Sequence, residues 1–157
     1  MIKNINLNHQ GHDLLDFYLD DNFKELVINK NWAKLDKCVF ELTAAGSPLH
    51  QLLRLQLDFT SIEHLIAIRS APDDEDGIWH DDGSRILGFS LSLNLEPDNI
   101  IGGQLLFKSK ENNLDPVIYP PQPWGKLIIF LSGLSGYEHK VTAVSVGQRI
   151  VIAGWCS

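Results

Sequence analysis

Basic residues are scarce in this chain of 157 residues: 13 Lys and Arg stand against 20 Asp and Glu, a formal charge of −7. Phosphate-backbone binding needs a clustered basic face, so no nucleic-acid partner is expected. Cysteine is almost absent. Cys38 and Cys156 lie far apart without C-x-x-C spacing, which excludes a zinc knuckle or a redox pair. Long apolar runs are missing too. Nothing approaches the roughly 18 residues that span a bilayer, and Met1 to Asn6 lacks the apolar stretch of a secretory signal. No membrane partner and a cytoplasmic location are therefore expected, while the oligomeric state is not legible. With 44% apolar and 21% charged residues the composition is that of an ordinary globular protein, and the length fits one domain.

The first third reads as helical. From Asp13 to about Ile28, Leu14, Leu15, Tyr18, Leu19, Phe23, Leu26 and Val27 recur at steps of three and four. Ser47-Pro48 marks a second helix start, with Ser as cap and Pro where no donor is needed. Cys38 to Leu42, between the two, reads as a short strand. Beyond His64 the segments are short and rich in Ile, Leu, Val and Phe: 64–69, 85–94, 103–108, 126–131, 141–146 and 148–154. Gly, Pro, Asp and Asn separate them, as turns between strands require. In 85–94 the side chains alternate. Leu87, Phe89, Leu91 and Leu93 face one way, and Gly88, Ser90, Ser92 and Asn94 the other. No strand is followed by a helix-length crossover. The expected fold is mainly β with N-terminal helices: a helical support over about 1–62 and a jelly-roll core over about 63–157 of one domain.

The chemistry centres on Trp79-His80-Asp81-Asp82-Gly83. On an extended chain His80 and Asp82 point to one side, so an imidazole and a carboxylate can converge. A second histidine, His139, is placed at the end of the Ser132 to Glu138 loop, before a strand starting at Val141. Two imidazoles and one carboxylate suit a first-row divalent metal, with open positions beside them. A solvated loop is the plainer reading of such a triplet. Arg149, ten residues after His139, sits inside the apolar run Gly147 to Trp155. A guanidinium there needs an anion, either a structural acid or a bound carboxylate.

Together these residues resemble the Fe(II)/2-oxoglutarate-dependent dioxygenases, in their prolyl-4-hydroxylase-like branch. His80 and Asp82 match the family's H-x-D, and Leu91-Ser92-Leu93-Asn94 the strand ending in Leu-Asn. Gly102-Gly103-Gln104 match its glycine pair, and Pro123-Trp124-Gly125 through Phe130 the stretch before the distal ligand. His139 matches that ligand, and Gly147, Arg149 and Trp155 the closing motif. The resemblance implies a double-stranded β-helix, with Fe(II) held by His80, Asp82 and His139. Arg149 would hold the distal carboxylate of the co-substrate 2-oxoglutarate. With O2, the activity implied is hydroxylation of a C–H bond in a small molecule, amino acid or peptide side chain, with release of succinate and carbon dioxide. Two departures are visible. Relatives often carry a Tyr on the strand before H-x-D, where this chain has Ile68-Arg69-Ser70-Ala71, and another at the position of Ser92.

Trp79, Ser90, Ser92 and Trp124 are the candidates for contact with substrate. Asp81 is expected to face solvent or to support the site from behind. Asp73-Asp74-Glu75-Asp76-Gly77 fails the calcium-loop pattern, because the twelfth position falls on Gly83. It reads as a mobile acidic lid that favours basic or neutral substrates. His9, His12, His50 and His64 read as structural, and Cys156 as an inert thiol. Two further readings stay open: a cupin-like metal protein with other chemistry or none, and a binding module that has kept only the fold.

Overall fold

The computed structural model describes residues 10–111 and 114–157 of the chain; His9 lies outside them. The described residues form ten strands and three α-helices. In chain order these are β1 His12–Asp16, α1 Asp21–Ile28, α2 Trp32–Thr43, α3 Pro48–Gln56, β2 Ile62–Ser70, β3 Leu87–Ser92, β4 Ile101–Gly102, β5 Leu105–Lys108, β6 Val117–Tyr119, β7 Lys126–Leu131, β8 Glu138–Val141, β9 Val144–Val146 and β10 Gln148–Cys156. A five-stranded antiparallel sheet has the order β1-β7-β3-β10-β2, and β6-β5-β8 with the pair β4-β9 make the second wall.

The alternation along β3 explains the layering. Leu87, Phe89 and Leu91 join Leu127, Ile129, Ile150, Ile152 and Cys156 on the outer face of the large sheet. There they bury against Phe23, Leu26, Leu35, Val39, Leu49 and Leu53 of the three helices. Each such fully buried side chain contributes about 1.5–3 kcal/mol of transfer free energy. Gly88, Ser90 and Ser92 face the second wall. A methyl group at Gly88 would overlap the Phe130 ring, which with Leu105, Phe107 and Ile128 forms a smaller apolar cluster between the walls.

Three local expectations need correction. Residues 13–16 belong to β1, in register with Ile129 to Lys126 of β7, and α1 starts only at Asp21, where Asp20 caps Phe23 N–H at 3.3 Å. The three- and four-residue spacing of Leu14, Leu15 and Tyr18 is coincidental there; pairing with a buried strand outweighs it. Cys38 to Leu42 is helical, inside α2, whose buried Leu35, Val39 and Thr43 recur every fourth residue. Ser47 does precede α3, but its hydroxyl donates to the Glu41 carbonyl at 2.7 Å instead of capping the helix. Among the described residues no helix is long and apolar enough to cross a membrane.

Candidate metal centre

His80, Asp82 and His139 come together with one donor atom each, all within 4.8 Å of one another. His139 Nε2 lies 3.1 Å from Asp82 Oδ2, and His80 Nε2 lies 3.3 Å from Oδ1. The route to this geometry differs from the extended-chain argument. His80 pairs with His139 as an isolated bridge, His139 N–H donating to the His80 carbonyl at 2.9 Å, so His139 lies within β8 and not in the preceding loop. Asp82 then turns back at φ +66°, a left-handed conformation that costs most residues about 1–3 kcal/mol and that Asp tolerates best with Asn.

The donors suit a metal. His80 Nδ1 donates to the Ile78 carbonyl at 2.8 Å, which turns Nε2 toward Asp82. Asp82 Oδ2 also accepts the indole N–H of Trp155 at 2.9 Å. Burial by itself would raise the Asp82 carboxyl. The hydrogen bond and charge of His139, the charge of His80 and the Trp155 bond outweigh it and hold the group below the usual carboxylate range. The anionic form that metal binding needs is therefore the resting form. Asp81 turns away: Lys110 Nζ lies 2.6 Å from its Oδ2, and Gly83 N–H donates to Oδ1 at 2.9 Å. Lys110 also donates to the carbonyls of Gly133 and Leu134, tying this turn to the loop before β8.

His80 and His139 open on a cavity of about 210 Å³ between the two walls, where Arg149, Arg69, Ser90, Phe130, Val151 and Trp155 also contribute. Arg149 is 5% exposed and donates to no described residue. Its stem rests on Gly103, where a Cβ would come within 2.9 Å of Cδ. Of the four residues expected to contact substrate, Ser90 lines this cavity. Ser92 points the same way, but its hydroxyl donates to the Gln122 carbonyl at 2.6 Å, beside Asn94 Nδ2 at 2.9 Å. Segment 119–122 thus covers the Arg149 end. Trp79 does not line the cavity; its ring lies under the Lys108 and Lys140 ammoniums on the outer face of the small sheet. Trp124 does not line it either and packs against the helix-covered core. Arg69 and Trp155 were the residues missed as cavity walls. Trp155 was legible as part of the closing motif, but only the register of β10 with β2 and β3 shows where it and Arg69 point.

The acidic segment before H-x-D is a clasp, not a mobile lid. Asp74 Oδ2 accepts Val144 N–H at 2.7 Å, Asp76 Oδ1 accepts Ala143 N–H at 2.7 Å, and Gly77 N–H donates to the Val141 carbonyl at 2.8 Å. A Cβ at Gly77 would stand 2.9 Å from that carbonyl, so only glycine allows the approach. This fastening lays Trp79-His80 alongside β8. The other histidines among the described residues are accounted for structurally. His12 is buried in β1 with Nδ1 2.7 Å from the Tyr119 hydroxyl, His64 meets Asp36 at 2.8 Å, and His50 stands edge-on to Phe59. Cys156 is buried, and its thiol is pushed up to about 12 by burial.

Comparison with known proteins agrees with this geometry. The family model described as the 2OG-Fe(II) oxygenase superfamily matches residues 69–157, more than half of the chain. No curated protein matches. Among solved structures, the chain is similar to a Pseudomonas putida prolyl-4-hydroxylase, at 22% identity, TM-score 0.62, and coverage of 96% of this chain and 86% of that one. It is similar to a Trichoplax adhaerens prolyl hydroxylase in complex with a hypoxia inducible factor peptide fragment, at 16% identity and TM-score 0.64, covering 96% and 84%. A Burkholderia pseudomallei oxidoreductase of the 2OG-Fe(II) oxygenase family aligns at 14% identity and TM-score 0.67, covering 96% and 86%. The two walls are thus those of a double-stranded β-helix as prolyl-4-hydroxylases build it, and the chain belongs to the 2OG-Fe(II) oxygenase superfamily, whose members use Fe(II), 2-oxoglutarate and O2.

Proposed function

We propose that this protein is an Fe(II)- and 2-oxoglutarate-dependent hydroxylase. It would act on a C–H bond of a small molecule, amino acid or peptide side chain in the cytoplasm and release succinate and carbon dioxide. One observation carries the reading: three metal donors converge, two of them, His80 and His139, line a cavity together with the buried Arg149, and no described acid lies within hydrogen-bond reach of that guanidinium. Iron bound at the triad would supply the activation of O2 that is coupled to decarboxylation of the 2-oxo acid. The chain's own residues do the rest. His80, Asp82 and His139 hold the metal on one face, and Trp155 and the Ile78 carbonyl fix the orientation of two of them. Arg149 takes the distal carboxylate through its planar fork, and the carboxylate replaces the water that burial has removed. Phe130, Leu105, Val141 and Val151 keep the space between these points apolar and exclude water from the reaction. The peptide held by the Trichoplax relative supports a peptide side chain as one substrate option.

The test is an anaerobic Fe(II) titration with and without 2-oxoglutarate, following the visible absorption band of a metal-chelated 2-oxo acid. The band should appear in wild type and vanish in His139→Ala. In Arg149→Ala it should need far more 2-oxoglutarate. Metal binding without a band would remove the 2-oxoglutarate assignment and leave the cupin-like metal protein standing.

A further inference from the structure

Arg69 and Arg149 are direct partners in the β2–β10 pairing, so both side chains rise from the same face of the sheet, and both line the metal cavity. Like charges directly opposite one another destabilise a sheet. Only one of them is in direct contact with an acid. Asp74 engages Arg69 Nη1 with both oxygens, at 3.1 and 3.3 Å, and the Glu75 carbonyl accepts from the same nitrogen at 2.8 Å. Arg69 Nη2 and Nε donate to no described residue. Arg149 has no acid within hydrogen-bond reach among the described residues; burial and then the charge of Arg69 bring its guanidinium down to about 10, against a smaller opposing pull from the charge of Asp74. The clasp offers nothing more, since Asp76 is spent on the Ala143 amide. Two guanidiniums therefore share a wall with one acid between them. Asp82, the nearby acid of the triad, is committed to the two histidines and Trp155.

We propose that Arg69 is a second carboxylate-binding arginine of this cavity, set beside Arg149 so that a bound acid meets two guanidiniums instead of one. The inference rests on the reading of the site as 2-oxoglutarate-dependent. Arg69 stands on the strand where relatives often place a tyrosine, and it supplies donors that the chain otherwise lacks there. Its side chain is 26% exposed and belongs to an edge strand, so it is reached from solvent, as Arg149 is not. The carboxylate can belong to 2-oxoglutarate or to the substrate that enters beside it. Either way the site selects acids, the reverse of what an acidic lid would do.

Two arms separate the sources. In the first, the Fe(II)-loaded protein is titrated anaerobically with 2-oxoglutarate in wild type, Arg69→Gln and Arg69→Lys, following the visible band. In the second, at saturating 2-oxoglutarate, the Fe(II) complex is titrated with a matched pair of probes, N-acetylproline against its amide, following the change each causes in the same band. Loss of one charge-assisted contact should cost about tenfold in half-saturating concentration. A loss of that size in the first arm for Arg69→Gln assigns the contact to 2-oxoglutarate. A preference for acid over amide in wild type that disappears in Arg69→Gln assigns it to the substrate. The proposal is overturned if 2-oxoglutarate binding stays within about twofold and wild type either does not prefer the acid or keeps its preference in Arg69→Gln. Should Arg69→Gln fail to fold, Arg69→Met, which keeps the stem and removes the charge, replaces it in both arms. Metal binding, followed separately by tryptophan fluorescence, identifies the remaining case: iron bound with no band overturns the co-substrate reading and this proposal with it.

Discussion

The indole N–H of Trp155, in the last strand, donates to Asp82 Oδ2 at 2.9 Å, while Arg85 stacks over the same ring at 4.9 Å. The carboxylate ligand of the candidate metal centre is thus aimed by a side chain from the far end of the sequence. Trp155→Phe keeps the cavity wall and removes the bond. Fe(II) affinity should fall about 10- to 100-fold, the usual cost of losing a partner of a metal ligand, with little change in the unfolding midpoint of the metal-free protein. Anaerobic metal titration beside chemical denaturation checks both halves.

Metal binding should also stabilise the fold. At a hundredfold excess over its dissociation constant, Fe(II) should add about 2.7 kcal/mol, and a chelator should remove it. His139→Ala should melt at the same temperature with and without metal. A metal-induced rise in that variant would place the ion elsewhere.

Asp74 couples the clasp to pH. Burial alone would raise its carboxyl, but the Val144 amide and the bonds and charge of Arg69 outweigh burial and hold it below the ordinary carboxylate value. A carboxyl lowered in the folded state stabilises fully above its unfolded value, and that contribution is lost as pH falls through the lowered one. Asp74→Asn should therefore be about 1 kcal/mol less stable than wild type at neutral pH. The gap should narrow when the pH is taken well below the ordinary carboxylate value, through the lowered one. Denaturant midpoints measured at both pH values decide, and an unchanging gap would exclude the charge as its source.

Gly88 leaves room for the Phe130 ring, whose centroid lies 4.8 Å from that of His139. Gly88→Ala forces that ring to move, at a cost of about 1–3 kcal/mol. The displaced ring should disturb His139 and weaken metal binding as well. Adding Phe130→Leu should recover part of both losses; a double variant as weak as the single one would locate the strain elsewhere.

How much could be read in advance follows from which signals are local. The alternation along 85–94 assigns each side chain to a face, because successive strand residues must point to opposite sides. The ordered motifs from His80 to Trp155 were legible for a similar reason, since each needs particular residue types at short spacing. The failures were non-local. Asp13 to Asp16 has helical spacing, and only β7 beside it makes it a strand. The Asp73 to Gly77 segment looks like a free acidic loop until β8 and β9 present the Val141 carbonyl and the amides of Ala143 and Val144.

The chain's order of residues was enough to specify the candidate metal donors His80, Asp82 and His139, the cavity arginine Arg149 and the sheet-rich class, since identity and short spacing carry that information. It took the folded molecule to bring Arg69 opposite Arg149, to turn Trp155 onto Asp82 and to leave Trp79 and Trp124 outside the cavity. Those relations join residues distant in sequence, and they exist only once strand register has chosen which side chains share a face.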